Sequence, residues 1–95
     1  MIVRRSAAAQ DDFDDIWLYV AQDSPSAADV LLLRLEEATA NLGAFPDMGV
    51  LRDDLAKGLR ALRVDNFVVY YRKHHDHVML ARVLHARLDT KRISF

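Results

Sequence analysis

Cysteine is absent from this chain of 95 residues, which excludes both a disulfide staple and a thiolate metal site. Glycine occurs only three times, so no glycine-rich loop is available to cradle a phosphate. No apolar run approaches the ~20 residues that a membrane helix needs. Met1 runs straight into Ile-Val-Arg-Arg, without the long apolar stretch of a signal peptide, and the expected compartment is the cytoplasm. Repeats, low-complexity segments and linkers are also missing. What remains is one domain, residues 1–95, long enough for a single modest core.

Charge is nearly balanced in total but not along the chain. Residues 1–50 hold three Lys/Arg against nine acids, and residues 51–95 hold ten against five. A basic half of this kind suits an anionic surface, and it suits equally well internal pairing between helix acids and sheet arginines.

Residues 58–85 are the most informative stretch. Gly58-Leu-Arg-Ala-Leu-Arg-Val64, Phe67-Val-Val-Tyr-Tyr-Arg72 and Val78-Met-Leu-Ala-Arg-Val-Leu-His85 read as three antiparallel strands. A two-residue turn at Asp65–Asn66, where both residue types tolerate positive φ, sets Val64 opposite Phe67, Leu62 opposite Val69 and Arg60 opposite Tyr71. A five-residue turn over 73–77 would set Tyr71 opposite Met79, Val69 opposite Ala81 and Phe67 opposite Val83. In that register one face is a core. The other carries Arg63, Arg72 and Arg82 among Val68, Tyr70, Leu80 and Leu84, which is the pattern of a docking surface. Ile93 and Phe95 in the tail could cover part of it.

Residues 2–5 suit a short edge strand. A helix is expected from about Ala8 or Ala9, with Phe13, Ile16, Trp17 and Val20 on one stripe and Asp11, Asp12, Asp14 and Asp15 in its early turns. Ser24-Pro25 caps and opens a second helix. Its stripe is Ala28, Leu31, Leu32, Leu35, Ala38 and Leu42, with a stop at Gly43. Residues 44–49 form a breaker-rich loop from which Phe45 and Met48 are expected to fold back on the core. Residues 51–57 have room for one helical turn. The expected fold class is therefore α+β: an N-terminal strand and a two-helix antiparallel hairpin packed on one face of a small antiparallel sheet.

Few constellations suggest chemistry. The acids at 11–15 have no histidine beside them and diverge around a helix, which disfavours a metal site. His74, His75 and His77 share a turn with poor ligand geometry, and a solvated polar turn is the simpler reading. His85 near Arg82 and Arg87 could protonate a leaving oxygen while arginines stabilise phosphorane charge, but the register places His85 on the helix-covered side. No metal or cofactor is expected.

Taken in order, Asp-Asp-Ile-Trp-Leu-Tyr-Val-Ala (14–21), Ser-Pro-Ser-Ala-Ala (24–28), Phe-Pro-Asp-Met-Gly (45–49), the run 58–72 and Ala-Arg-Val-Leu-His-Ala-Arg-Leu-Asp (81–89) resemble the ParE branch of the RelE/ParE superfamily of bacterial type II toxins. The resemblance runs nearly end to end. It implies a toxin neutralised by a ParD-like antitoxin and acting on DNA gyrase without catalysis of its own. The RelE-like alternative is a ribosome-dependent messenger RNA endoribonuclease, for which Arg63, Arg82, His85 and Arg87 would be the catalytic set. The tail from Leu88 to Phe95 contains neither the tyrosine nor the histidine common near the C-terminus of that branch. A third alternative is a member that binds antitoxin but is not toxic. The expected antitoxin- or target-binding surface is Arg63, Val68, Tyr70, Arg72, Leu80, Arg82 and Leu84.

Overall fold

The computed structural model describes all residues 1–95. Its elements are β1 (Ile2–Arg5), α1 (Ala7–Ala21), α2 (Pro25–Ala44), β2 (Val50–Leu51), β3 (Leu59–Val64), β4 (Phe67–Lys73) and β5 (His77–His85), followed by a 3₁₀ turn at Thr90–Arg92. The sheet order is β1-β5-β4-β3-β2. β1 runs parallel to β5, so the sheet is mixed; β3–β4 and β4–β5 are antiparallel as expected, and the short β2, for which the sequence suggests no strand, pairs antiparallel with β3.

Both helices begin where the side chains dictate. The Ser6 hydroxyl accepts from the Ala9 amide, and α1 starts at Ala7, one or two residues earlier than expected. Ser24 caps α2 through the Ala27 amide, with Pro25 in the first turn where its missing N–H leaves nothing unpaired. Gly43 is not the stop. α2 continues to Ala44, and the glycine serves close packing instead: a Cβ there would lie 2.5 Å from the Met1 carbonyl oxygen.

The β3–β4 hairpin has the expected register, with Asp65 at φ 51° in the turn. The β4–β5 pairing differs. β4 extends to Lys73 opposite Val78, and the His74 amide bonds the His77 carbonyl, so the turn is tighter than five residues. That shifts the pairing by one, placing Tyr71 opposite Leu80. A bulge at Ala81 shifts it once more, so that Tyr70 faces Arg82, Val69 faces Val83 and Phe67 faces His85. A single-residue slip inverts a strand's faces and a second restores them. Before the bulge, therefore, Val78 and Leu80 point to the helices; after it, Val83 does, as expected.

The main core joins Ala9, Phe13, Leu35 and Leu42 of the helices to Val69, Tyr71, Val78, Leu80 and Val83 of the sheet. Tyr71 also anchors the loop before β2. Its phenol donates to the Pro46 carbonyl at 2.8 Å and accepts from the Gly49 amide at 2.8 Å. Only glycine fits at 49, because a Cβ would sit 2.7 Å from the tyrosine ring. Phe45 and Met48 do not fold back on the core; both are exposed. A polar anchor, rather than their apolar side chains, ties this loop down.

A second, smaller cluster lies on the other face. Leu59, Tyr70, Ala81 and Leu84 are buried there beneath Leu55, Ala56, Ile93 and Phe95, and the Tyr70 and Phe95 rings are 4.7 Å apart. The tail and the turn after β2 cover this face.

Candidate functional site

The helix-opposite face is not the docking surface that the sequence suggests, for reasons visible residue by residue. Leu80 is fully buried and belongs to the helix side, a consequence of the tight turn. Tyr70 and Leu84 lie on the expected face but under the tail, and Val68 is half-buried beside them. The Arg72 guanidinium donates to the Phe95 carbonyl at 3.0 Å and more weakly to Lys57 O, so it pins the tail instead of facing solvent. Arg63 is exposed, with Nε on the Asp65 carbonyl.

Arg82 has the most constrained fate. Its Nε and Nη2 donate to the two carboxylate oxygens of Asp12 at 2.8 and 2.9 Å, a parallel two-bond fork. Asp12 also accepts the Val83 amide at 2.9 Å, so one carboxylate holds both a cation and the free edge of β5. Hydrogen bonding to Asp12 raises the Arg82 pKa above its ordinary value, more than burial lowers it. This is the internal alternative for the charge asymmetry, realised most fully here. Asp12 is buried and was not singled out among its acidic neighbours; its spacing from Ala9 (i−3) and Ile16 (i+4), on the stripe containing Phe13, is the signal that marks it.

His85 is exposed and not buried under the helices as expected; it lines an open cleft beside α1. Its ring meets Phe67 edge-on at 5.4 Å, and its Nδ1 accepts the Arg87 amide at 3.1 Å. Phe67 packs against the helix-side core, whereas Arg63 stands opposite Val68, which packs on the tail-side cluster. His85 and Arg63 therefore project from opposite faces of the sheet. Of the residues of the nuclease alternative, Arg63, Arg82, His85 and Arg87, Arg82 is held by Asp12, while Arg63 and His85 stand on opposite faces.

In the histidine turn, the His74 and His77 rings stack at 4.6 Å, and His77 Nδ1 lies 2.7 Å from Asp76. That hydrogen bond holds the Asp76 carboxyl below its usual range. No group of three His, Asp or Glu side chains is arranged to hold a metal ion.

Two concave surfaces flank α1. One, about 590 Å³, lies along the helix hairpin and is lined by Arg5, Phe13, Trp17, Leu18, Leu32 and Glu36 among others; the Arg5 guanidinium sits 3.7 Å over the Phe13 ring. The other, about 440 Å³, lies between α1 and the end of β5, lined by Asp12, Asp15, Ile16, Tyr19, Phe67 and His85 together with Val83 and Leu84. The outer helix faces also leave Leu18, Tyr19, Val30 and Leu33 exposed.

The architecture, a helix hairpin over one face of a mixed five-stranded sheet, is a class shared with a solved structure titled "Chromosomal ParDE TA system from P. aeruginosa". The two superpose with a TM-score of 0.74 at 21% identity, covering 90% of this chain and 95% of the other. In sequence, Toxin ParE3 of Caulobacter vibrioides is 32% identical over 88 residues, spanning 92% of this chain and 88% of the relative. The family described as "ParE toxin of type II toxin-antitoxin system, parDE" matches residues 3–89. The chain belongs to this family of ParE toxins.

Proposed function

We propose that this ParE-type toxin acts by binding DNA gyrase and stabilising cleaved gyrase–DNA complexes, with no catalysis of its own, and that a ParD-like antitoxin neutralises it. The carrying observation is the dispersal of the residues that catalysis would need: Arg82 is bound by Asp12, and Arg63 and His85 lie on opposite faces of the sheet. General acid–base cleavage needs its groups within hydrogen-bond reach of one reacting centre. A binding mode needs only surface. Leu18, Tyr19, Val30 and Leu33 on the helices, and Phe45, Met48, Val50 and Leu51 beside the β2 edge, supply apolar surface of the kind that marks partner sites. Of the opposite sheet face, Arg63 is exposed and Val68 half-buried, within reach of a partner. No helix is long and apolar enough to cross a membrane.

Expression of the chain in bacteria, with and without a co-expressed antitoxin, tests this reading. Filamentation and DNA-damage signalling with intact messages, suppressed by the antitoxin, is the expected result. Cut messages with arrested translation would replace it with the nuclease, and normal growth would leave only antitoxin binding.

A further inference from the structure

The charge asymmetry of the sequence is also a separation of faces. Six of the 13 lysines and arginines have a carboxylate partner: Arg5, Arg34, Arg52, Arg60, Lys73 and Arg82. The others lie on the side of the sheet away from the helices. Arg4 pairs with Met79, which alternates with the core-facing Val78 and Leu80. Arg63 alternates with Leu62 and Val64, which pack against the helix-side core. Lys57 follows Leu55 and Ala56 of the tail-side cluster, and Arg72 pins the tail. Arg87, Lys91 and Arg92 belong to the tail itself, and all three are exposed. Carboxylates without a basic partner are segregated the other way. Asp11, Asp14, Asp15, Asp23, Asp29 and Glu37 belong to the helix hairpin; outside it are Asp53 and Asp89, each turned to a backbone amide, of Gly58 and of Lys91.

Four of the free cations form a row. Arg63 Nε donates to the Asp65 carbonyl and the Ala86 amide to the Asn66 carbonyl, so Arg63 and Arg87 flank one turn at the end of the sheet. From there the tail carries Lys91 and Arg92 back across the face, until Phe95 meets Tyr70 and Arg72. The apolar groups at the centre of this face are already covered: Tyr70 and Leu84 are buried, and Phe95 is half-buried against Tyr70. What the face exposes is charge.

We infer that this row, Arg63, Arg87, Lys91 and Arg92, is a docking surface for the phosphate backbone of duplex DNA, held without regard to sequence. Protein partners are met through an apolar patch with a polar rim, whereas a nucleic-acid duplex needs cations placed on its phosphates. Single strands are disfavoured, because the rings of this face are engaged with each other and offer no platform for unstacked bases. Both helices lie on the far side, so none is available to read base edges in a groove. The acidic hairpin is repelled by phosphates, which fixes the side of the toxin that turns to DNA and leaves the helices for protein. The choice of DNA rests on the proposed action at gyrase-cleaved DNA.

The test is fluorescence anisotropy of a labelled DNA duplex of about 20 base pairs, titrated with the full chain between about 25 and 200 mM KCl. Four phosphate contacts give a logarithm of affinity that falls with the logarithm of salt at a slope of roughly −3 to −4. Lys91→Gln combined with Arg92→Gln should reduce the steepness by about 2, and Arg63→Gln by about 1. Lys73→Gln, whose cation is held by Asp47, should leave it unchanged. All these positions are exposed, so the variants keep the fold, which their melting curves will verify. Single-stranded DNA and duplex RNA of the same length should bind no better than the DNA duplex. With gyrase and supercoiled plasmid, the Lys91→Gln, Arg92→Gln chain should need about tenfold more protein for the same linear DNA. Four results would each overturn the inference: no saturable duplex binding, an unchanged slope in the double variant, tighter binding of single strands or RNA, or salt-sensitive pairing of this face with a second copy's acidic hairpin in place of DNA. Equal gyrase-dependent cleavage by wild type and double variant would do so too. Wild type that binds the duplex with this slope yet accumulates no linear DNA would sink the gyrase reading and leave the surface standing.

Discussion

Tyr71 shows how a single side chain sets the local structure. It is fully buried, yet its hydroxyl satisfies one donor and one acceptor of the loop before β2. Tyr71→Phe leaves the Gly49 N–H and the Pro46 carbonyl unpaired, at a cost of about 1–3 kcal/mol. A thermal melt should show the loss, at roughly 4–8 °C per kcal/mol for a domain of this size. Burial is also the main cause that pushes the phenol pKa above its ordinary value of 10.0. The folded state therefore holds that proton more tightly than the unfolded chain. Its contribution is complete below about pH 10 and is lost as pH rises through the folded value. Urea melts from pH 8 to 11 should show a steeper alkaline loss in the wild type than in Tyr71→Phe; identical slopes would contradict the assignment. Asp12 and Arg82 form a unit of a different kind. Asp12→Asn keeps an acceptor for Val83 but strands a partly buried arginine, and breaking such a pair costs about 3 kcal/mol or more. Asp12→Asn combined with Arg82→Met should be less destabilised than the sum of the two single changes. Strict additivity in this cycle would mean that the pair is not coupled.

At the scale of elements, the helices and the β3–β4 hairpin were legible because their signals are local. Ser24-Pro25 is a cap and a first turn, the α2 stripe repeats at helical spacing, and Asp65–Asn66 suits positive φ. The β4–β5 register was not, because nothing in Val-Met-Leu-Ala-Arg-Val-Leu distinguishes the bulged residue. Apolar side chains occupy both faces of β5, since both are covered, and alternation carries no information under such conditions. The same cover by the tail removed the expected docking face. Substitutions can test the register directly. Leu80→Ala should cost ~2–5 kcal/mol and Met79→Ala far less, the reverse of what the five-residue turn would give. Trp17 is a related case. It lies on the α1 stripe but is half-buried, with Nε1 on Asp29 at 2.9 Å, whereas Leu35 is fully enclosed. Urea melts should therefore rank Leu35→Ala well below Trp17→Ala in stability; equal losses would show that the hairpin packs differently.

For the whole molecule, structure and charge distribution point the same way. Part of the basic C-terminal half is used internally, in Arg82 with Asp12, Arg60 and Lys73 with Asp47, and Arg72 with the tail. The exposed pairs among these contribute little to stability and are weakened by salt, whereas the Asp12 fork is largely shielded. What the sheet does not present as a reactive cluster, the helices and edges present as apolar and acidic surface. The site was therefore less legible than the fold: family motifs identified the toxin, but which residues face a partner depended on a bulge and a tail that only the three-dimensional arrangement reveals. The central claim, action by binding and not by catalysis, is tested most directly by incubating the toxin with gyrase and supercoiled plasmid, in parallel with ribosomes programmed with message. The account predicts accumulation of linear DNA, intact message, and His85→Gln and Arg87→Ala variants that lose far less than the ~10²–10⁴-fold expected of a general acid or base. Message cleavage that vanishes in either variant, with no effect on gyrase, would contradict it.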